Sequence, residues 1–106
     1  MKSQNKILEG HVRKAIKDFL TYQGWEWWWH LNQGVGVYRG LSDLEAIKNG
    51  ITLYIEVKSP TGKQNSDQIK FEEKIKRGKG LYILARSVED VNDYICKNFW
   101  DTGILF

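Results

Sequence analysis

The first part of the chain changes from a helical to a strand pattern of apolar residues. Residues 5–23 carry apolar side chains three and four positions apart, and Gly24 then supplies a residue that readily ends a helix. This spacing predicts an N-terminal helix. The aromatic residues from Trp25 to Leu31 have high strand preference, so we expect the first strand there and a turn at the glycine-containing residues 33–36.

A β-hairpin is predicted next. Residues 44–47 and Ile51–Val57 are apolar-rich runs on either side of Lys48-Asn49-Gly50. Asn-Gly strongly favours a two-residue hairpin turn, because both residues tolerate a positive φ. If Asn49 and Gly50 form the turn, Lys48 pairs with Ile51, and the position numbers of every cross-strand pair add up to 99.

The second half of the chain predicts two helices and a strand between them. Asn65 and Gln68 resemble a capping pair that opens a helix running to about Arg77. Leu81–Ala85 is a short apolar run suited to a central strand, and Ser87 begins a second capping box that opens the last helix. The resulting order, α-β-β-β-α-β-α, predicts an α/β fold, which we expect to occupy residues 1–106 as a single domain.

Composition excludes several classes of protein. Hydrophobic residues make up 42% of the chain and charged residues 27%, which is typical of neither a disordered nor a fibrous protein. No apolar run approaches the ~20 residues of a membrane span, and charged residues interrupt any stretch that could act as a secretion signal. We therefore expect a cytoplasmic protein with no membrane partner. Its small size would suit a phage-encoded protein acting in the host cytoplasm.

The cysteine and histidine content is equally restrictive. Cys96 is the single cysteine, so no internal disulfide can form, and with only His11 and His30 beside it the chain cannot supply a structural zinc site. We expect Cys96 to pack on the apolar side of the last helix and both histidines to be exposed or satisfied by hydrogen bonds. Stability must then come from packing.

Positive charge is concentrated in two segments. Residues 1–20 hold five basic and two acidic side chains, and residues 60–87 hold seven and three. A basic patch attracts polyanions by counterion release, although such a run is also typical of a solvated helix face. Lys70, Lys74 and Arg77 recur at helical spacing, so that they can share one face. Together with Lys63 in the preceding loop, they are candidates for holding a DNA backbone.

The hairpin brings two acidic residues together. Side chains alternate along the second hairpin strand, which places Glu56 and Lys58 on its polar face. The predicted register sets Asp43 opposite Glu56, where like charges are destabilising unless a cation lies between them. Carboxylate oxygens suit Mg²⁺ or Mn²⁺, and such an ion can polarise a phosphate and activate water. The alternative is that these are ordinary strand-end charges and that Lys58 forms a salt bridge with Glu56.

These residues resemble a known catalytic motif. Ser42-Asp43, then twelve residues, then Glu56-Val57-Lys58 looks like the PD-(D/E)XK nuclease motif, with serine in place of proline. The wider pattern from Arg39 to Pro60, with Gln68 and residues 78–86, is similar to the VRR-NUC family, the virus-type replication-repair nucleases. The similarity extends from residue 9 to about residue 91.

The resemblance implies a restriction-endonuclease-like αβββαβ core, with a mixed sheet flanked by helices, and metal-dependent hydrolysis of DNA. It assigns Asp43 and Glu56 to metal binding, with the backbone carbonyl of Val57 as a further ligand. Glu9 on the first helix matches the acidic residue that many members contribute through a metal-bound water. Read without the resemblance, Glu9 is an ordinary surface acid.

Two further roles and a substrate class follow from the same resemblance. Lys58 becomes the catalytic lysine, and Gln68 becomes a residue that positions the lysine, water or phosphate, although helix capping explains Gln68 equally well. Free-standing viral and bacterial members act as dimers and resemble Holliday-junction resolvases. The resemblance therefore implies a homodimer that acts on branched DNA.

The tryptophan-rich strand leaves several possibilities open. Trp25, Trp27 and Trp29 share one strand face, and Trp28 and His30 share the other with a glutamate. The aromatic rings can stack on unpaired bases or bury area in a core or subunit interface, and we favour burial with dimerisation. The alternatives to an enzyme are a non-catalytic DNA-binding module and an assembly protein that contacts another polypeptide through this strand.

Overall fold

The elements form in the predicted order over residues 2–30 and 38–99, which the computed structural model describes. The helices and strands are α1 (Lys2–Tyr22), β1 (Glu26–Trp29), β2 (Leu44–Lys48), β3 (Ile51–Val57), α2 (Ser66–Arg77), β4 (Leu81–Ala85) and α3 (Val88–Phe99). β1 is shorter than predicted. Leu31 and the predicted turn at residues 33–36 lie outside the described residues.

The four strands form one mixed sheet in the order β1-β2-β3-β4. β2 pairs antiparallel with β1 and with β3, whereas β3 and β4 run parallel. A parallel pair needs a crossover connection, and α2 lies in the chain between these two strands. The prediction of an α/β fold with a mixed sheet flanked by helices is confirmed.

The hairpin between β2 and β3 has the predicted register. Asn49 and Gly50 have φ values of 51° and 80°, as a type I′ turn requires. Lys48 pairs with Ile51, and the pairing continues to Leu44 opposite Ile55. Because side chains alternate with a period of two, this register decides which face of the sheet each residue of β3 occupies.

One face of the sheet packs against α1 and α3 and forms the hydrophobic core. Each fully buried large apolar side chain contributes about 1.5–3 kcal/mol through the hydrophobic effect. The buried residues alternate along the strands and recur at helical spacing on the two helices: Leu44, Ala46, Leu53, Ile55, Val57, Ile83 and Ala85 from the sheet, and Ile16, Leu20, Val91, Ile95 and Phe99 from the helices. The opposite face is therefore left for polar residues of β3.

An aromatic cluster attaches α2 to that opposite face. Phe71 of α2 contacts Tyr54 of β3 and Tyr82 of β4 edge-on, with ring centroids 5.6 and 6.1 Å apart. Such edge-to-face contacts add about 0.5–1.5 kcal/mol to the area they bury. This anchoring fixes the position of α2 over β3 and β4.

The tryptophan strand divides as the alternation predicts. Trp25 is buried in the core, and Trp27 and Trp29 are half-buried on the same side. Trp27 also donates a hydrogen bond from Nε1 to Thr21 Oγ1 of α1 at 2.8 Å. Trp28 is 42% exposed on the opposite face. Burial thus accounts for much of this aromatic surface, and dimerisation stays a prediction.

The end of α1 is capped at the predicted glycine. Gly24 has a φ of 84°, and the N–H of Trp25 reaches back to the carbonyl of Leu20 at 2.9 Å, which is the arrangement of a Schellman motif. α1 is 21 residues long and carries charged residues along its length. Among the described residues, no helix combines the length and apolar character needed to cross a bilayer.

The last helix differs from expectation in one respect. α3 begins after Ser87, whose Oγ accepts the Asp90 N–H at 3.2 Å, while the Asp90 carboxylate accepts the N–H of Arg86. Cys96 is exposed, so our expectation that it packs on the apolar side of this helix is wrong. The buried positions Val91, Ile95 and Phe99 repeat every four residues, and Cys96 therefore lies on a different side of the helix.

Gly40 permits close contact between the segment before β2 and the first turn of α2. Its φ is 79°, and a Cβ atom at this position would lie 2.1 Å from the backbone oxygen of Asp67. Both the backbone conformation and the available space therefore require glycine. This contact connects residue 40, close to Asp43, to the turn of α2 that carries Gln68.

We predict that Gly40→Ala destabilises the protein by about 2 kcal/mol or more, because the added methyl group meets backbone and the positive φ becomes strained. Thermal unfolding followed by circular dichroism measures the effect. Gly10→Ala is the matched control. Gly10 lies within α1 with open space around its Cβ position, so alanine there should stabilise the protein by about 0.5–1 kcal/mol. Equal effects of the two changes would contradict the packing described for Gly40.

Candidate active site

Two carboxylates meet at the end of the hairpin. Glu56 belongs to β3, and Asp43 lies in the bend directly before β2 rather than in the strand itself. Besides burial, the Asp43 charge raises the pKa of the Glu56 carboxyl group, so the two carboxyl groups are near neighbours. The Asp43 side chain is 14% exposed and that of Glu56 is 3% exposed. The register thus brings together the pair that the sequence set opposite each other.

Backbone and side-chain contacts hold Asp43 in place. Its Oδ2 accepts the N–H of Val57 at 2.7 Å, which connects the bend directly to the end of β3. Its Oδ1 lies 3.2 Å from the guanidinium Nη1 of Arg13 on α1. The Asp43 carbonyl accepts the N–H of His30 at 2.8 Å, and the buried Ser42 donates from Oγ to the Leu44 carbonyl. Asp43 is therefore positioned from three sides.

Glu56 is buried with an incomplete set of partners. Its Oε2 accepts a hydrogen bond from Gln68 Nε2 at 3.2 Å and lies 3.6 Å from Lys58 Nζ. Its Oε1 is buried without a hydrogen-bond partner among the described residues. Burial, followed by the Asp43 charge, raises the pKa of Glu56 to about 8, against the lowering effect of Lys58. The pair is electrostatically unfavourable as it stands.

Gln68 fulfils both of the roles considered for it. Its Oε1 accepts the Asn65 N–H and its own N–H donates to Asn65 Oδ1, both at 2.9 Å, so the predicted capping box is present. The amide Nε2 remains free of the cap and donates to Glu56. Capping and contact with the carboxylate pair use different atoms of one side chain, and therefore they do not compete.

The loop after β3 is held by a residue that we did not predict. Arg86, just after β4, donates from Nη1 to the carbonyls of Ser59 and Gly62 at 2.8 and 2.6 Å. The Lys58 N–H also bonds to the Ala85 carbonyl at 2.9 Å. These contacts fix the backbone from which the Lys58 side chain extends. A lone arginine in the sequence gave no indication of them, because its partners are distant backbone carbonyls.

The donor set is compatible with a divalent cation. Two neighbouring carboxylates present the hard oxygen atoms that Mg²⁺ and Mn²⁺ prefer, and one of these oxygens is buried with no hydrogen-bond partner among the described residues. Val57, the candidate carbonyl ligand, is adjacent to Glu56 and bonded to Asp43 through its N–H. Glu9 is half-buried on α1, one turn before Arg13. Within the described residues, no three His, Cys, Asp or Glu side chains converge, so the structure does not bring Glu9 into a cluster with the pair.

The predicted DNA-binding residues lie at the surface. Lys63 is exposed in the loop after β3, and Lys70, Lys74 and Arg77 are exposed on α2, the helix whose first turn contacts Glu56. Lys74 donates from Nζ to the hydroxyl of Tyr38 at 2.7 Å, which is the one polar contact found for these four within the described residues. Three of the four cations thus belong to the same helix as Gln68.

Arg13 is a site residue that sequence reasoning missed. Besides its contact with Asp43, its guanidinium carbon lies 4.2 Å above the centre of the Trp29 ring. The available indication was its spacing of four residues from Glu9, which places both residues on one side of α1. The spacing could not show that β1 brings an aromatic ring, and the hairpin a carboxylate, to that side.

A solved structure shares this architecture. No family model and no curated protein matches the chain. The chain is similar to a structure described as a "VRR_NUC domain", with a TM-score of 0.67 and 18% sequence identity, covering 87% of this chain and 97% of that one. The likeness shows that this chain has the fold of a VRR-NUC domain, which is the restriction-endonuclease-like fold that the motif implied.

We predict that Glu56→Gln raises the melting temperature of chelator-treated protein at pH 9 by about 5 °C or more, which corresponds to about 1 kcal/mol in a domain of this size. The ordinary pKa of 4.5 applies in the unfolded chain and a pKa of about 8 in the folded one. Between pH 4.5 and about 8, Glu56 therefore keeps its proton in the folded protein but loses it in the unfolded chain. The free energy of unfolding falls as the pH rises through this range.

At pH 6 the folded protein already carries a neutral Glu56, so the same change should have a smaller effect there. Thermal unfolding at both pH values measures the difference. Glu73→Gln, at an exposed position of α2, is the control and should change the melting temperature little at either pH. An equal response of the two variants would show that Glu56 is not buried against Asp43.

Proposed function

We propose that this protein is a PD-(D/E)XK-type nuclease that hydrolyses DNA phosphodiester bonds with Mg²⁺ or Mn²⁺. The observation that carries the proposal is the buried pair of neighbouring carboxylates, Asp43 and Glu56, with Lys58 3.6 Å from Glu56 and with one Glu56 oxygen that has no hydrogen-bond partner among the described residues. Such an arrangement costs stability, and a divalent cation would offset this cost. The shared fold with a structure described as a VRR_NUC domain supports the same activity.

The metal would be held by the Asp43 and Glu56 carboxylates. The backbone carbonyl of Val57 is the further candidate ligand, and Glu9 is a candidate for contact through water. When bound, the ion supplies Lewis-acid polarisation of the scissile phosphate and lowers the pKa of the attacking water.

Lys58 and Gln68 have distinct proposed roles. The Lys58 ammonium, 3.6 Å from Glu56, would orient the attacking water and stabilise the negative charge that develops on the phosphate. Gln68 holds Oε2 of Glu56 through its amide, which limits the directions in which the carboxylate can turn. Catalysis would thus consist of positioning and electrostatic stabilisation, without a covalent intermediate.

The surface charge supports a DNA substrate. Lys63, Lys70, Lys74 and Arg77 are exposed, and three of them lie on the helix that also contacts the carboxylate pair. Phosphate contacts of this kind set affinity and register without reading sequence. We further propose that the substrate is branched, such as a Holliday junction, and that the protein acts as a homodimer in the cytoplasm, since two-fold symmetry suits a four-way junction.

We predict that Asp43→Ala and Lys58→Ala each reduce DNA cleavage at least about 100-fold. The first change removes a carboxylate that would hold the metal, and the second removes the ammonium group that would stabilise the charge on the phosphate. The measurement is nicking of supercoiled DNA and cleavage of a labelled four-way junction in Mn²⁺. Circular dichroism checks that each variant is folded. Asp93→Asn and Lys97→Gln, at exposed positions of α3, are the charge-matched controls for Asp43→Ala and Lys58→Ala respectively.

Two outcomes would decide against parts of this proposal. If a variant cuts DNA as fast as the unaltered protein, the altered residue is not part of the catalytic site. Absence of cleavage by the unaltered protein, with salt-sensitive DNA binding retained, would instead favour a non-catalytic DNA-binding module. Cleavage of linear duplex at the rate found for the junction would contradict branch selectivity while leaving nuclease activity in place.

We predict that Lys70→Gln and Arg77→Gln each weaken DNA binding uniformly across sequences. Each should reduce the slope of log affinity against log salt by about 0.9, the value for one lost phosphate contact on B-DNA. Fluorescence anisotropy at several salt concentrations measures both quantities. Lys97→Gln on α3 removes the same charge from another element and should leave the slope unchanged. A matching loss of slope in Lys97→Gln would show that net charge alone attracts the DNA.

A further inference from the structure

Arg13 has two partners that differ in how easily they can be exchanged. Its guanidinium group lies over the Trp29 ring at 4.2 Å, and its Nη1 lies 3.2 Å from Asp43 Oδ1. The Arg13 side chain is 35% exposed, whereas Asp43 is 14% exposed. A partly exposed ion pair is weak and readily broken, while the contact with the aromatic face does not depend on the carboxylate.

The contact with Asp43 occupies the carboxylate oxygen that the backbone leaves open to a metal ion. Oδ2 of Asp43 is already bonded to the Val57 N–H, which leaves Oδ1 as the oxygen that carries the arginine. A divalent cation bound between Asp43 and Glu56 would repel a guanidinium group at this distance. Metal binding and the ion pair of Arg13 with Asp43 therefore compete.

We propose that Arg13 neutralises Asp43 in the metal-free protein and transfers to a DNA phosphate when a divalent cation takes its place. This inference rests on the proposed function. Stacking on Trp29 would keep the released guanidinium beside the site. Arginine suits this second role because its planar fork of donors can bind two phosphate oxygens at once.

Mn²⁺ binding in the absence of DNA tests the competition. We expect Arg13→Gln to bind Mn²⁺ about three- to fivefold more tightly than the unaltered protein, as measured by electron paramagnetic resonance of the free ion. Lys14→Gln removes the same charge from the next position of α1, where Lys14 pairs with Asp18 at 2.7 Å. This control should change the Mn²⁺ affinity less than twofold. A purely structural role of Arg13 would not make metal binding tighter.

DNA binding with and without metal tests the transfer. In Ca²⁺, used as a non-cleaving stand-in for Mg²⁺, Arg13→Gln should weaken binding of a labelled four-way junction about tenfold and reduce the salt slope by about 0.9. Without metal, Arg13→Gln should match Lys14→Gln, because Asp43 then holds the arginine. Arg13→Lys keeps the charge, so it should restore the Mn²⁺ affinity while recovering only part of the DNA affinity.

The outcomes separate this inference from the proposed function. Loss of Mn²⁺ binding in Glu56→Gln would support the metal site. If Arg13→Gln nevertheless behaves like Lys14→Gln in both assays, the proposed transfer of Arg13 from Asp43 to DNA is wrong. A loss of DNA affinity that is equal with and without Ca²⁺ would also overturn the exchange. Absence of Mn²⁺ binding by the unaltered protein would overturn the inference together with the metal site.

Discussion

The proximity of Asp43 to Glu56 is the constraint on which the rest of the site depends. Two carboxyl groups approach each other in a largely water-free position, where burial and like charge both raise the pKa of Glu56. The hairpin register sets them opposite each other, and the hydrogen bond from the Val57 N–H to Asp43 holds the Asp43 side chain beside the end of β3. This proximity is stable because a backbone turn imposes it, although the charges oppose it.

The sheet separates the unfavourable carboxylate pair from the hydrophobic core that stabilises the fold. Alternate residues of β3 point to opposite faces, so Ile55 and Val57 are buried among the apolar side chains of α1 and α3 while Glu56 lies on the other face. The hydrophobic core therefore remains intact beside a buried acid. An unfavourable polar site of this kind is tolerated where the packing around it is otherwise complete.

α2 connects the fold to the candidate chemistry. Phe71 anchors the helix on Tyr54 and Tyr82, and Gly40 lets the segment before β2 approach its first turn. Gln68 is thereby held within hydrogen-bonding distance of Glu56. The same helix exposes its basic residues to solvent. The aromatic contacts that orient α2 therefore also determine where the positive surface lies relative to the carboxylates.

The sequence alone determined the order of the elements, the hairpin register and the capping box at Asn65, because these depend on spacing, turn chemistry and neighbours within a few residues. The register also set Asp43 opposite Glu56, although Asp43 lies in a bend that contacts from Val57 and Arg13 hold in place. Only the tertiary structure placed Arg13 on Asp43 and Arg86 on the loop after β3, since these contacts join segments that are distant along the chain. It also turned Cys96 to solvent, because helix packing selected another face of α3 for burial.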